Sequence, residues 1–178
     1  MKVTFKGNPV NLGGNELKVG DMAPKVNLAG NDLSEVTVGG AKDHVQIIVA
    51  VPSLDTGVCE AQTRKMNESI AGAVGMKMTV ISMDLPFANG RFCATNGMQN
   101  VTTASDFRAK EFGNAYGVLI SEGPMAGLLT RAIFVVGKDG KIAYKQIVAE
   151  ITNEPDYEDL KNAIGQMEGV ACGAKCCC

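Results

Sequence analysis

The chain has 178 residues, 17 basic and 19 acidic, for a formal net charge of −2; that length suffices for one ordinary domain whose core needs neither disulfide nor metal. No run of like charges would track a phosphate backbone, which argues against nucleic acid as a partner, and no apolar stretch approaches membrane-spanning length. Of six cysteines, only Cys59 and Cys93 lie in the body and four crowd the last seven positions, which fits no secreted framework; with no signal-like apolar run at Met1 to Gly7, a reducing cytoplasm with chemically employed thiols is expected.

Val3 and Phe5, then Val10 and Leu12, alternate around Gly7-Asn8-Pro9. This predicts an N-terminal β-hairpin closed by Gly13-Gly14 and packed as an edge addition. The stretch after Gly20 and Pro24 reads as loosely structured. Val45 to Val51 is an apolar run suited to a strand buried on both faces, ended by Pro52. From Cys59 the period turns helical, with Met66, Ile70 and Ala73 at offsets of seven, eleven and fourteen, and Glu60 and Arg64 as an outward i,i+4 pair. Met78 to Ser82 is a second buried strand, so strand, helix and strand form a parallel crossover. A further helix is predicted around Ser105 to Tyr116. Ala132 to Val136 and Ile142 to Tyr144 flank Asp139-Gly140, a strong hairpin signal. The last helix is predicted to begin near Pro155, with Tyr157, Leu160, Ile164 and Met167 on one stripe. This order predicts an α/β fold of the thioredoxin-like class, a central mixed β-sheet with helices on both faces.

The loop Pro52-Ser53-Leu54-Asp55-Thr56-Gly57-Val58 turns the first buried strand into the helix headed by Cys59. A cysteine in a first helical turn faces unpaired N–H groups and the positive end of the helix dipole, both favouring thiolate over thiol. Burial on the inward face opposes this, and a nearby cation would settle the contest. A buried cysteine can also be simply a small core hydrophobe. Against that stands its position, since the turn after a parallel strand is where α/β sheets place reactive groups.

The pattern Pro52-x-x-x-Thr56-x-x-Cys59 resembles the peroxidatic signature of the peroxiredoxins, and more narrowly the thiol peroxidase subfamily of the atypical two-cysteine type. Further stretches share the resemblance: Phe5-Lys6-Gly7-Asn8-Pro9-Val10, Asp84-Leu85-Pro86-Phe87-Ala88 leading to Arg91-Phe92-Cys93, Gly123-Pro124 through Leu128-Leu129-Thr130-Arg131-Ala132, and Glu150 through Tyr157. It runs from about Val3 to Met167, so residues 1–168 are expected to form the thioredoxin-like domain and residues 169–178 a cysteine-rich tail. The resemblance implies that Cys59 is the peroxidatic thiolate, Thr56 the hydroxyl positioning it and the peroxide, Pro52 a shield against water and Arg131 the cation. Arg131 reads otherwise as a surface charge heading a strand. If Ala132 to Val136 runs antiparallel to Val45 to Val51, as the family fold implies, Arg131 starts at the edge where Cys59 sits.

Ionisation alone is too small an effect to be the mechanism. A thiol of ordinary pKa, about 8.5, is roughly 3% ionised at pH 7, so full ionisation gains only about thirtyfold, or roughly 2 kcal/mol. The larger share must come from holding the O–O bond in line and stabilising charge on the departing oxygen. Attack leaves a sulfenic acid that a second thiol must capture. Cys93 is the natural captor, eleven residues beyond Ser82, where the second strand returns the chain to the Cys59 edge. A disulfide needs the two Cα atoms within about 7 Å. The resemblance implies local unfolding, an intramolecular Cys59–Cys93 disulfide, and reduction by thioredoxin. Cys93 could instead be an apolar neighbour of Phe92 in a short helix.

The family implies hydrogen peroxide and bulky organic hydroperoxides as substrates, a homodimer, and no cofactor or metal. Leu54, Met83, Phe87 and Met125 could line an apolar mouth or belong to the core. His44, the only histidine, is expected as a solvent-facing polar cap beside Asp43. Gly13-Gly14 and Gly39-Gly40 read as turns, and the sequons at Asn67 and Asn100 carry no meaning without secretion. Cys172, Cys176, Cys177 and Cys178 sit on a small-residue tether that matches no standard zinc spacing. The tail is expected to be a disordered appendage without a defined site. The rival reading is a metal- or redox-sensing binding protein acting through those thiols.

Overall fold

The computed structural model describes residues 1–70, 75–98 and 101–172, the side chains of 68–70 and 168–172 excepted. The expectations at Ala73, Asn100 and residues 173–178 fall outside the described residues, as do the side chains of Ile70 and Cys172.

A hairpin of β1 (Lys2–Phe5) and β2 (Asn8–Gly13) opens the chain, followed by β3 (Val26–Gly30), β4 (Glu35–Val38) and β5 (Val45–Ala50). Next come α1 (Gly57–Ile70), β6 (Met76–Ser82), α2 (Pro86–Asn96), β7 (Val101–Ser105), α3 (Glu111–Ala115) and β8 (Leu119–Ile120). The strands β9 (Ala132–Val136) and β10 (Ile142–Ile147) and helix α4 (Tyr157–Cys172) complete it. Seven strands form a mixed sheet in the order β10-β9-β5-β6-β7-β3-β4. Within it β5, β6 and β7 are parallel neighbours, while β9 runs antiparallel to β5.

Strand β5 is central because both its faces are apolar. Ile48 and Ala50 join Phe112, Tyr116 and Phe134 in one core cluster. Ile47 and Val49, pointing the opposite way, join Cys59, Met66 and Leu160 in another. Each fully buried Ile or Val contributes about 1.5–3 kcal/mol relative to exposure. The strand–helix–strand crossover, the β9–β10 hairpin and the final helix stand as expected. In that hairpin Gly140 N–H closes the turn onto the Gly137 carbonyl at 2.9 Å.

Three expectations need correction. The stretch between Pro24 and Val45 is an antiparallel pair, β3 with β4, in which Val26 opposes Val38 and Leu28 opposes Val36. This is an alternation of period two carried by two short runs, each too brief to stand out alone. The helix expected over Ser105 to Tyr116 shrinks to α3, and Ser105 ends a strand. The β-branched run Val101-Thr102-Thr103 favours that strand. The Asp106 carboxylate then accepts the Phe112 and Gly113 N–H groups at 3.2 and 2.8 Å, delaying the helix start. The N-terminal hairpin is not an edge of the main sheet. It forms its own three-stranded sheet, β1-β2-β8, anchored by Val3, Val10 and Ile120. Gly14 is required where that hairpin returns, because a Cβ there would lie 2.2 Å from the Asn114 carbonyl oxygen.

Candidate active site

Strand β5 ends at Ala50, and the Val51 N–H continues its pairing onto the Ile81 carbonyl at 3.0 Å. Pro52, buried and without an N–H, ends the ladder. The Thr56 carbonyl accepts the Glu60 N–H at 3.0 Å, the first bond of α1. Thr56 is therefore the cap, and the N–H groups of Gly57, Val58 and Cys59 precede the first intrahelical bond. Cys59 is fully buried on the inner face of α1, and its carbonyl accepts the Thr63 hydroxyl at 2.8 Å.

Arg131 comes to this sulfur from the start of β9, the strand paired with β5. Because β9 is antiparallel to β5, with Ala132 opposite Ala50, the residue before β9 lies where β5 ends. Arg131 as a whole is 2% exposed. Nη2 donates to the Cys59 sulfur at 3.4 Å and Nε to the Ile151 carbonyl at 3.2 Å, while Nη1 donates to the Gln62 side-chain oxygen. Among the described residues no carboxylate lies within ion-pair distance of it. A buried cation bonded to neutral acceptors is costly unless negative charge develops beside it, and the sulfur is the atom placed to carry that charge.

Gln62 has no counterpart in the expectations above. It lies three residues after Cys59, on the same inward stripe as Met66, and is fully buried. A polar side chain on an apolar stripe signals a buried partner, but the partner itself is 69 positions away. Asp84, named above only within a motif, likewise finds distant partners: its carboxylate accepts the Ser53 hydroxyl and the Leu54 N–H, each at 2.7 Å.

The Thr56 hydroxyl is exposed and donates to the Ser53 carbonyl at 3.1 Å, not to the sulfur. Cys59 itself is fully buried, and a cleft of about 320 Å³ lies beside its helix, between Thr56, Gly57 and Glu60 at the start of α1 and Arg91, Phe92 and Asn96 of α2. Arg64 spans the two helices, donating to Glu60 at 2.6 Å and to Asn96 at 3.2 Å. Cys93 is half-buried in α2, its sulfur 3.3 Å from the Thr103 hydroxyl and 4.0 Å from the Asn31 amide nitrogen. Its surroundings are thus polar, and both Cys59 and Cys93 are free thiols. Phe92 packs against the cluster that holds Cys59.

Around the rim of Arg131, Glu154 accepts Lys65 at 2.6 Å and the Tyr157 hydroxyl at 2.7 Å. The bond from Lys65, then that from Tyr157, hold the Glu154 carboxyl below its ordinary range, with a smaller contribution from the Arg131 charge. Burial raises the Tyr157 phenol. Leu54 is in the Cys59 cluster, Met83 and Met125 pack against two others, and Phe87 is 67% exposed. His44 is half-buried and pairs with Asp43 at 2.5 Å. It sits at the start of β5, the end opposite Cys59.

A thioredoxin-like sheet presenting a buried cysteine at a helix start, faced by a guanidinium from a neighbouring strand, defines a thiol-based redox protein. The sequence model of the Redoxin family matches residues 18–163. A thiol peroxidase of Aquifex aeolicus (strain VF5) is 55% identical over 165 residues, covering 93% of this chain and 97% of its own. A thiol peroxidase of Campylobacter jejuni (strain NCTC 11168) is 53% identical over 176 residues, 99% of this chain and 98% of its own. The crystal structure of a peroxiredoxin-like protein from Aquifex aeolicus superposes with a TM-score of 0.91 at 55% identity, covering 93% of this chain and 96% of that one. The chain belongs to the thiol peroxidase subfamily of the peroxiredoxins, and it is a peroxidase enzyme. Among the described residues no helix is long and apolar enough to cross a membrane.

Proposed function

We propose that this peroxidase reduces hydrogen peroxide and organic hydroperoxides through Cys59, with Cys93 as resolving thiol and thioredoxin as reductant. The Cys59 sulfur attacks one peroxide oxygen, the O–O bond breaks, and the other oxygen leaves as water or alcohol with the proton it requires. The observation that carries this reading is the 3.4 Å approach of the buried Arg131 guanidinium to the sulfur. A fixed cation there lowers the cost of charge both on the attacking sulfur and on the departing oxygen, without reorganisation during the reaction. The N–H groups of Gly57, Val58 and Cys59 add positive potential from the helix start.

In this reading Pro52 keeps water from the sulfur, and Thr56 turns its hydroxyl from Ser53 to the peroxide once the cleft beside it is occupied. Cys59 is fully buried, so a small peroxide reaches the sulfur through slight displacements beside the cleft, whereas joining Cys93 needs the turn Ser53 to Thr56 itself to open. The sulfenic acid then condenses with Cys93. Residues 1–168 act as the catalytic domain of a cytoplasmic homodimer, and the tail beyond takes no part in the chemistry.

Replacing Cys59 with Ser tests the assignment: peroxide consumption should fall to the uncatalysed rate. Consumption that survives this change removes Cys59 from the mechanism.

A further inference from the structure

The peroxide chemistry makes no use of Asp84, yet this residue connects the supports of both sulfurs. It lies two positions after β6 and two before α2, the helix of Cys93. Its Oδ1 accepts the Ser53 hydroxyl at 2.7 Å, and its Oδ2 accepts the Leu54 N–H at 2.7 Å and the Ser82 hydroxyl at 2.9 Å. Its own N–H donates to the Ser82 hydroxyl at 3.1 Å, and its carbonyl accepts the Ser105 hydroxyl. Ser53 passes the constraint on: its hydroxyl oxygen accepts the Asp55 N–H and its carbonyl accepts the Thr56 hydroxyl, each at 3.1 Å. The carboxylate thereby fastens the turn leading into Cys59 to the end of β6, and the Asp84 carbonyl ties the same point to the end of β7, just before α2.

That turn has to open. Cys59 is fully buried, the Cys93 sulfur rests against Thr103 and Asn31, and both thiols are free. A disulfide closes only when the two Cα atoms come within about 7 Å.

We propose that Asp84 is a positioning residue that latches the Ser53–Thr56 turn over Cys59 and thereby sets how readily oxidised Cys59 reaches Cys93. This rests on the reading of Cys93 as resolving thiol. In closure the Cys93 sulfur attacks the sulfenic sulfur of Cys59; the S–S bond forms, the S–O bond breaks, and the oxygen leaves as water with the thiol proton. In the competing step a second peroxide transfers one oxygen atom to the sulfenic acid, giving sulfinic acid, and is itself reduced to water or alcohol. A tight latch delays the first step and leaves time for the second. Hydrogen bonds to a carboxylate are among the stronger kind, and three of them converge here.

The experiment compares the full-length protein with Asp84→Asn, which keeps the shape but replaces one acceptor oxygen with a donor. Amide hydrogen exchange is read at Leu54 and Glu60, with Val49 in β5 as the internal reference. Exchange at the first two should rise about tenfold while Val49 is unchanged. Excess hydrogen peroxide is then added, and mass spectrometry gives the ratio of sulfinic acid to Cys59–Cys93 disulfide, which should fall about tenfold. General destabilisation would move Val49 together with the other two and leave that ratio alone. Unchanged exchange at Leu54 and Glu60, or an unchanged ratio, overturns the proposal. Ser53→Ala, which removes the partner hydroxyl, should shift both readings in the same direction and serves if the first variant folds poorly. If the unmodified protein never forms the Cys59–Cys93 disulfide, the resolving role is what fails, and the exchange measurement still decides the latch.

Discussion

The Arg131 guanidinium lies 3.4 Å from the Cys59 sulfur across 72 positions of chain. Its other two bonds, to Gln62 and to the Ile151 carbonyl, fix its plane. The guanidinium is thus held in a fixed orientation beside the sulfur, and under the proposed mechanism such preorganisation is where electrostatic catalysis gains most.

Arg131→Met keeps the length of the stem and removes the charge. By analogy with the loss of one fixed donor at an oxyanion site, the rate of Cys59 oxidation by hydrogen peroxide should fall about 10²- to 10³-fold. Stopped-flow measurement under single-turnover conditions checks this. A fall of less than about threefold would show that the guanidinium serves structure alone.

Gln62→Leu removes the acceptor of Arg131 Nη1 and leaves a buried N–H group without its partner. Stability should drop by about 1–3 kcal/mol, read from urea denaturation. Cys59 oxidation should slow as well, because the guanidinium can then swing from the sulfur. If stability falls and the oxidation rate does not, Gln62 supports packing only.

Glu150 clamps the N-terminal hairpin, accepting Thr4 Oγ1 at 2.8 Å and the Lys6 and Gly7 N–H groups at 3.0 Å each. The Gly7 N–H bond, then the bonds from Thr152 and Thr4, lower its carboxyl to about 2 from an ordinary 4.5. A depressed folded-state pKa contributes stability that is present above the ordinary value and is lost as pH falls from about 4.5 towards 2. Melting temperature followed from pH 6 to pH 2 should therefore drop more for the natural protein than for Glu150→Gln. Parallel curves for the two would mean that the clamp does not depend on charge.

Cys93→Ser should allow one oxidation of Cys59 per chain but no sustained turnover with thioredoxin. A chain lacking residues 169–178 should turn over as the full chain does. Met167, near the end of α4, shares a cleft with Val45 at the start of β5, the end of that strand opposite Cys59. The six residues beyond Cys172 reach only about 20 Å even when fully extended. Turnover retained in Cys93→Ser and lost on further truncation would make the tail thiols the resolving groups.

Local signals suffice where one run carries its own pattern. The apolar Val45 to Val51, the helical spacing from Cys59 to Met66 and the Asp139-Gly140 turn each needed no partner to be recognised. The pair β3 and β4 escaped because its pattern is completed only across the turn, with Val26 against Val38. The helix predicted from Ser105 starts only at Glu111, because the Asp106 carboxylate accepts the Phe112 N–H and postpones it. Pro52, Thr56, Cys59, Cys93 and Arg131 could all be named from motifs, but the bond Thr56 makes could not.

The linear order of residues by itself determined the helix headed by Cys59, the buried strand before it, and a motif belonging to thiol peroxidases. All of these rest on interactions within a few positions. Tertiary structure alone decided that Arg131 faces the sulfur, that Gln62 holds Arg131, and that Asp84 secures the turn 30 positions earlier. Those contacts exist only once β9 pairs with β5 and β6 lies beside it. Hydrogen bonds are short and directional, so which groups meet depends on sheet register, which no local window of sequence contains.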